Sequence, residues 1–154
     1  MASTVPGQLL NAIKARKFST VARLFAPNID FQAWNPSGHW VAEDAQTAAK
    51  IIEVWYSPAE GPSQIVYSNE TTTGRSSSLL ELEIAWKAPD DQPRMLRQAY
   101  LLTIKGDKIT QARVYCAGLH TEFPEVDLEK QRRAKGLGGA KPLNSPKAIV
   151  AKAV

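Results

Sequence analysis

The sequence contains one cysteine and two histidines among 154 residues, and this scarcity removes several kinds of chemistry at once. A single thiol cannot build a disulfide framework, so the chain reads as a protein of a reducing, cytoplasmic compartment. No Cys-x-x-Cys or His-x-x-x-His spacing occurs, so His39, Cys116 and His120 carry no metal-site signature. No apolar run approaches the roughly 18 residues that a membrane span needs, and no membrane association is expected. The N-terminal stretch MASTVPGQLLNAIKARK lacks the charged-then-apolar order of a secretory signal. The glycines of KGLGGAK follow no strand pattern and lack the spacing of a dinucleotide fingerprint. The expected cofactor set is therefore empty.

The net charge is +4, which raises the question of nucleic acid. Most of the basic excess sits in one segment, where Lys130, Arg132, Arg133, Lys135, Lys141, Lys147 and Lys152 face a single acid, Glu129. A groove that tracks phosphate interleaves cations with exposed aromatic rings, and this segment has no aromatic residue. Residues 129–154 are accordingly expected to be a solvated, flexible basic tail on a folded domain spanning 1–128. Nucleic acid is not an expected partner.

The rest of the chain divides by texture. VPGQLLNAIKARKF and STVARLFA carry apolar residues at helical spacing, as two helices or one helix broken near Lys17, ended by Pro27 and Asn28. IDFQAW alternates Ile29, Phe31 and Ala33 against Asp30, Gln32 and Trp34, a strand pattern, and NPSGH reads as a turn. A helix is predicted from about Glu43 to Tyr56, with Pro58 just past its end. Beyond Gly61 and Pro62, four segments rich in Ile, Val, Leu, Tyr and Thr are separated by short turns, the pattern of an antiparallel meander. Helices first and strands afterwards predict an α+β domain with the helices packed on one face of a curved sheet.

Strand parity separates the faces. Leu80, Leu82, Ile84 and Trp86 form one set and Glu81, Glu83 and Lys87 the other. By the same alternation Gln98, Tyr100, Leu102 and Ile104 face inwards, as do Thr110, Ala112, Val114 and Cys116. Arg113 and Tyr115 then face outwards, with Glu81 or Glu83 as the expected cross-strand partner of Arg113.

The order helix, helix, LFAPNIDFQAWNPSG, helix, then four strands ending LLTIKGDKITQARVYCAG resembles the nuclear transport factor 2-like superfamily. That group includes the SnoaL-like polyketide cyclases, ketosteroid isomerases and limonene epoxide hydrolases. The likeness spans about residues 7 to 125 and is carried by ARLFAPNIDF at the helix-to-strand junction and GDKITQARVY in the closing hairpin. It implies a cystatin-like cone: a strongly curved antiparallel sheet wrapped around three N-terminal helices, with an apolar cavity at its open end and a homodimer formed through the outer sheet face.

The catalytic patterns of these relatives are mostly missing. Where the isomerases place a carboxylate base, this chain has Gln32, Ala33 and Trp34, and around Leu9 and Leu10 there is no donor tyrosine. The epoxide hydrolase carboxylate falls on Val114, and its inward Arg and Asp fall on Leu80 and Leu82. Tyr100 alone matches, standing where the resemblance puts a proton donor facing a substrate oxyanion. The candidate reactive groups are therefore Tyr100 as donor with His39 or His120 as base, and Trp34, Trp55, Leu82, Trp86, Gln98, Val114 and Cys116 are the expected lining of a pocket for a small apolar organic molecule. Two readings follow: a cofactor-independent isomerase, cyclase or lyase working by proton transfer, or a ligand-binding or dimeric interaction protein that lacks the carboxylates of its relatives.

Overall fold

Helix α1 (Val5–Lys14) starts at Thr4, whose Oγ1 accepts a hydrogen bond from the Gly7 amide at 3.1 Å. Pro6 occupies the first turn, where a missing amide hydrogen costs nothing. The helix stops at Arg16, a left-handed residue with φ 56°. The Arg16 amide donates to the Ile13 carbonyl at 3.0 Å and the Lys17 amide to the Ala12 carbonyl at 2.9 Å, the paired bonds of a Schellman stop. The chain then enters α2 (Phe18–Leu24), so the N-terminal apolar stretch forms two helices. These details come from a computed structural model that describes residues 3–35, 38–56, 63–87 and 93–120. The expected basic tail and the domain boundary before it lie outside the described residues.

Strand β1 (Phe25–Asn35) follows α2 without a loop, and Pro27 and Asn28 fall within it rather than forming a break. β2 (Gly38–Ala42) pairs antiparallel with β1, so the stretch expected as a turn supplies a short edge strand. Asp44 then caps α3 (Ala45–Tyr56): its carboxylate accepts from the Thr47 amide at 2.8 Å and the Thr47 hydroxyl at 2.7 Å. These bonds hold the Asp44 carboxyl below its ordinary pKa.

The meander forms as the sequence predicts, through β3 (Ser63–Gly74), β4 (Ser77–Lys87), β5 (Pro93–Lys105) and β6 (Lys108–His120). The six strands are ordered β2-β1-β6-β5-β4-β3. Every join is antiparallel except β1 with β6, which is parallel. The expectation of a wholly antiparallel sheet is corrected at that join: three reversals bring β6 back beside β1 running in the same direction.

The three helices cover one face of this curved, unclosed sheet, giving the α+β cone. Leu9, Ile13, Val21 and Ile52 from the helices pack with Ile29, Phe31, Leu80, Leu82, Ile84, Leu102 and Val114, none more than 2% exposed. In β4 the alternation is clean, with Leu80, Leu82 and Ile84 at 0% and Glu81 and Glu83 partly exposed between them. The strand directions place the ends of β1, β4 and β6 and the starts of β3 and β5 at one end of the sheet. That end is the mouth of the cone. Among the described residues no helix is long and apolar enough to cross a membrane.

Candidate functional site

On the inner face, β5 places Gln98 and Tyr100 two residues apart, and the last residue of α3, Tyr56, descends on them from the helix layer. Tyr56 Oη and Tyr100 Oη each donate to Gln98 Oε1 at 2.8 Å, and the two phenol oxygens are 3.4 Å apart. All three side chains are buried, at 2%, 1% and 0% exposure for Tyr56, Gln98 and Tyr100. Burial raises the pKa of both phenols, and the Cys116 thiol, opposite Gln98 in the β5–β6 ladder, pushes both further up. Both tyrosines are therefore neutral hydrogen-bond donors at ordinary pH.

Among the buried donors near this end of the fold that have no hydrogen-bond partner among the described residues are Gln98 Nε2, Trp40 Nε1 and Trp55 Nε1. Each such group costs about 1–3 kcal/mol when left unsatisfied. Trp55 packs edge-on against Trp40 at 6.4 Å and beside Phe31 at 6.1 Å between centroids. Leu82, Gln98 and Val114, expected to line an open pocket, are fully packed beneath the helices, and Trp86 is partly buried against the same core.

Clefts open on two sides of that core, one of about 370 Å³ beside Phe25, Pro27 and Lys108 at the far end of the sheet. A cleft of about 360 Å³ runs between the end of α1 and the start of β3, lined by Ile13, Lys14, Arg16, Tyr56, Gln64 and Ile65. Of its lining residues Ile13 and Tyr56 are buried, Ile65 is half-buried, and Lys14, Arg16 and Gln64 are exposed; the Tyr56 hydroxyl is the first link of the buried cluster.

Two of the expected site residues stand elsewhere. Trp34 and His39 are cross-strand neighbours at the mouth end but on the outer face of the sheet, turned away from the interior they were expected to line. Alternation along β1 buries Phe31 and Ala33, which turns Trp34 to the opposite side. There the Trp34 ring lies between the His39 ring at 4.9 Å and the Tyr115 ring at 5.1 Å, both nearly parallel to it. His39 Nε2 is 3.2 Å from Gln32 Oε1. The partner expected for Arg113 is also corrected. Its guanidinium bonds Asp30 Oδ2 at 2.5 Å and the Asp30 carbonyl at 3.0 Å, because the parallel join sets β1 beside β6. Glu83 pairs with Arg97 instead, at 3.1 Å.

Strand β6 stays extended through Gly118, so its backbone does not fold His120 back on Cys116. The His120 side chain lies outside the described residues. Among the described residues no group of three His, Cys, Asp or Glu side chains converges on a common point.

Similarity to solved structures is confined to architecture. An NTF2-like protein from Cytophaga hutchinsonii matches with a TM-score of 0.57 at 11% identity, covering 74% of this chain and 97% of its own. A protein with a cystatin-like fold from Xanthomonas campestris gives 0.57 at 16%, covering 73% and 88%. An LEH-like epoxide hydrolase from M. tuberculosis gives 0.53 at 14%, covering 72% and 74%. The chain has the NTF2-like fold. No protein-family model matches the sequence, and no curated protein matches it.

Within this NTF2-like fold the cleft residues were not marked by the sequence. Ile13 belongs to the apolar face of the first helical stretch, and no sequence motif singles out Lys14, Arg16, Gln64 or Ile65. Tyr56 carried a usable signal, since the last residue of a helix that packs on the sheet at the mouth must meet the inward set of β5.

Proposed function

We propose that this protein binds a small, largely apolar organic molecule at the mouth of its cone. The observation that supports this reading is the cleft of about 360 Å³ that ends on Tyr56 and its buried partners. That volume falls within the roughly 300–1,000 Å³ range of small-molecule sites.

Binding is favoured over proton-transfer catalysis. Tyr100 is fully buried and its proton is committed to Gln98. The expected base His39 stands on the opposite face of the sheet, and Asp30 is engaged by Arg113 there.

A thermal-shift screen of the full chain against steroids, terpene epoxides, polyketide aromatics and fatty acids tests the reading. A ligand at 100 times its dissociation constant adds about 2.7 kcal/mol, several degrees of melting temperature for a chain of this length. A flat response across all four classes sinks it. Replacing Tyr100 with Phe then separates the two functional classes: a binder keeps most of its affinity, whereas an enzyme using Tyr100 as donor loses turnover.

A second reading, pairing of two copies through the outer sheet face, is favoured by the His39, Trp34 and Tyr115 stack and by Leu101 beside it. Tyr115 is 48% exposed and Leu101 47%, large apolar groups on a face that the helices leave uncovered.

A further inference from the structure

We infer that the edge of β3 is a docking site for an extended peptide segment of a partner protein, one that adds to the sheet as a further strand and sets a basic side chain opposite Glu70. The inference goes beyond the small-molecule reading above and does not depend on it.

β3 ends the sheet, and among the described residues it pairs with β4 alone. Its register with β4 runs unbroken from Tyr67, opposite Glu83, to Thr72, opposite Ser78. Along that stretch every second residue turns its N–H and C=O away from β4, an array that an incoming strand satisfies. Folded proteins blunt such edges with short strands, lysine or proline. The opposite edge of the sheet follows that rule, since β2 has 5 residues. β3 has 12, with neither lysine nor proline among them, and Ile65, Val66, Tyr67, Thr71, Thr72 and Thr73 are all residues suited to strands. The shift in register between Ile65 and Tyr67 marks where the regular edge begins, and Val66 and Tyr67 stand there half exposed.

Charge selects the occupant. Glu70 is the one charged residue in β3, and it is exposed. Its ladder partner is the buried Leu80, so its side chain stands on the helix side of the edge, where the Thr4 hydroxyl lies 2.8 and 3.0 Å from its two carboxylate oxygens. Thr4 brings no charge to it. A strand laid beside Glu70 is therefore favoured when it offers lysine or arginine at the facing position. On the other side of the edge the Arg97 guanidinium already lies 5.3 Å over the Tyr67 ring and pairs with Glu83, so apolar, β-branched side chains suit the partner there. The same carboxylate disfavours a second copy of β3. Two copies pairing antiparallel about a two-fold axis use the Tyr67–Thr72 stretch when centred on Asn69 or on Glu70, and the two Glu70 side chains then stand one diagonal step apart or directly opposite.

The test uses fluorescence anisotropy of the full chain with labelled synthetic peptides in which threonine and valine alternate around a central lysine, glutamine or glutamate that takes a threonine position. The pattern reads the same from either end, so both strand directions are sampled. The lysine peptide should bind about two- to fivefold tighter than the glutamine peptide, and the glutamate peptide should bind weakest. Glu70→Gln keeps an acceptor for Thr4, so its melting temperature should stay close to that of the wild type while the differences among the peptides vanish. N-methylation of the peptide amides, at the valines in one version and at the threonines in another, should abolish binding in one version and spare it in the other, because a docked strand uses one of its two edges. Exchange of the Tyr67–Thr72 amides should slow on saturation. Equal affinity of the lysine and glutamate peptides for the wild type overturns the inference, as does binding that neither methylated version disturbs, or no binding by any peptide. If exchange of those amides slows as the concentration of the chain alone rises, a second copy takes the edge and the peptide inference falls.

Discussion

Tyr56 Oη donates to Gln98 Oε1 across 2.8 Å, tying the last residue of α3 to the middle of β5. The same oxygen accepts a hydrogen bond from Tyr100 Oη, so one amide carbonyl satisfies two buried hydroxyls. Gln98→Leu removes that acceptor from both, and the 3.4 Å separation of the phenols allows only partial rescue of one by the other. The variant should lose about 2 kcal/mol in urea unfolding, more than the about 1 kcal/mol expected for Tyr100→Phe, which deletes a single donor. Equal losses would mean that the cluster does not act as a shared clamp.

The cluster also predicts an alkaline limit. Burial raises both phenol pKa values above the ordinary 10 in the folded chain. The neutral forms are favoured by folding, so the stabilisation is complete below about pH 10 and is lost as pH rises past it. Chemical unfolding at pH 8, 10 and 11 should show stability falling mainly in the last interval, and Tyr100→Phe should show a smaller fall. An identical decline in the variant would assign the loss to other groups.

How far the sequence could be read depended on the reach of each signal. Alternation is local, so Leu80, Leu82 and Ile84 against Glu81 and Glu83 disclosed both faces of β4, and Gln98 with Tyr100 disclosed the inner face of β5. Parity does not name neighbours. Arg113 was correctly turned outwards, yet its partner came from β1, joined in parallel from 83 residues away. β2 was lost because it has five residues, of which Trp40 and Ala42 alone mark the inner face. Trp34 shows that alternation outweighs residue type: a large aromatic next to buried Ala33 faces outwards. The left-handed turn at Arg16 was hidden for the opposite reason, since the residue that normally announces such a turn is glycine.

The outer face carries a prediction about assembly. A stable pair needs about 800 Å² of buried surface per partner, and the aromatic stack with Leu101 offers its apolar centre. Analytical ultracentrifugation of the wild type should show a dimer, and Tyr115→Glu should shift it to monomer. Because Tyr115 is half exposed, the change should leave the fold within about 0.5 kcal/mol of wild type. A wild type that stays monomeric at every concentration rules out this face as a self-interface.

At acidic pH the same face should report through Asp30. Hydrogen bonds from Arg113 and Gln111 hold its carboxyl at about 2, below the ordinary 3.8. A depressed folded-state pKa favours the ionised form in the folded chain, so its stabilisation is present above about pH 4 and is lost as pH falls towards 2. The Asp30 side chain is 50% exposed, so solvent screening limits the contribution to about 1 kcal/mol or less. Asp30→Asn should therefore lower stability at pH 6 by about that amount and converge with wild type near pH 2. Arg113→Gln, which deletes the partner charge, should reproduce the loss at pH 6. If Asp30→Asn instead runs parallel to wild type across the whole range, the ion pair between β1 and β6 contributes nothing through its charge, and the parallel join is held by its backbone ladder alone.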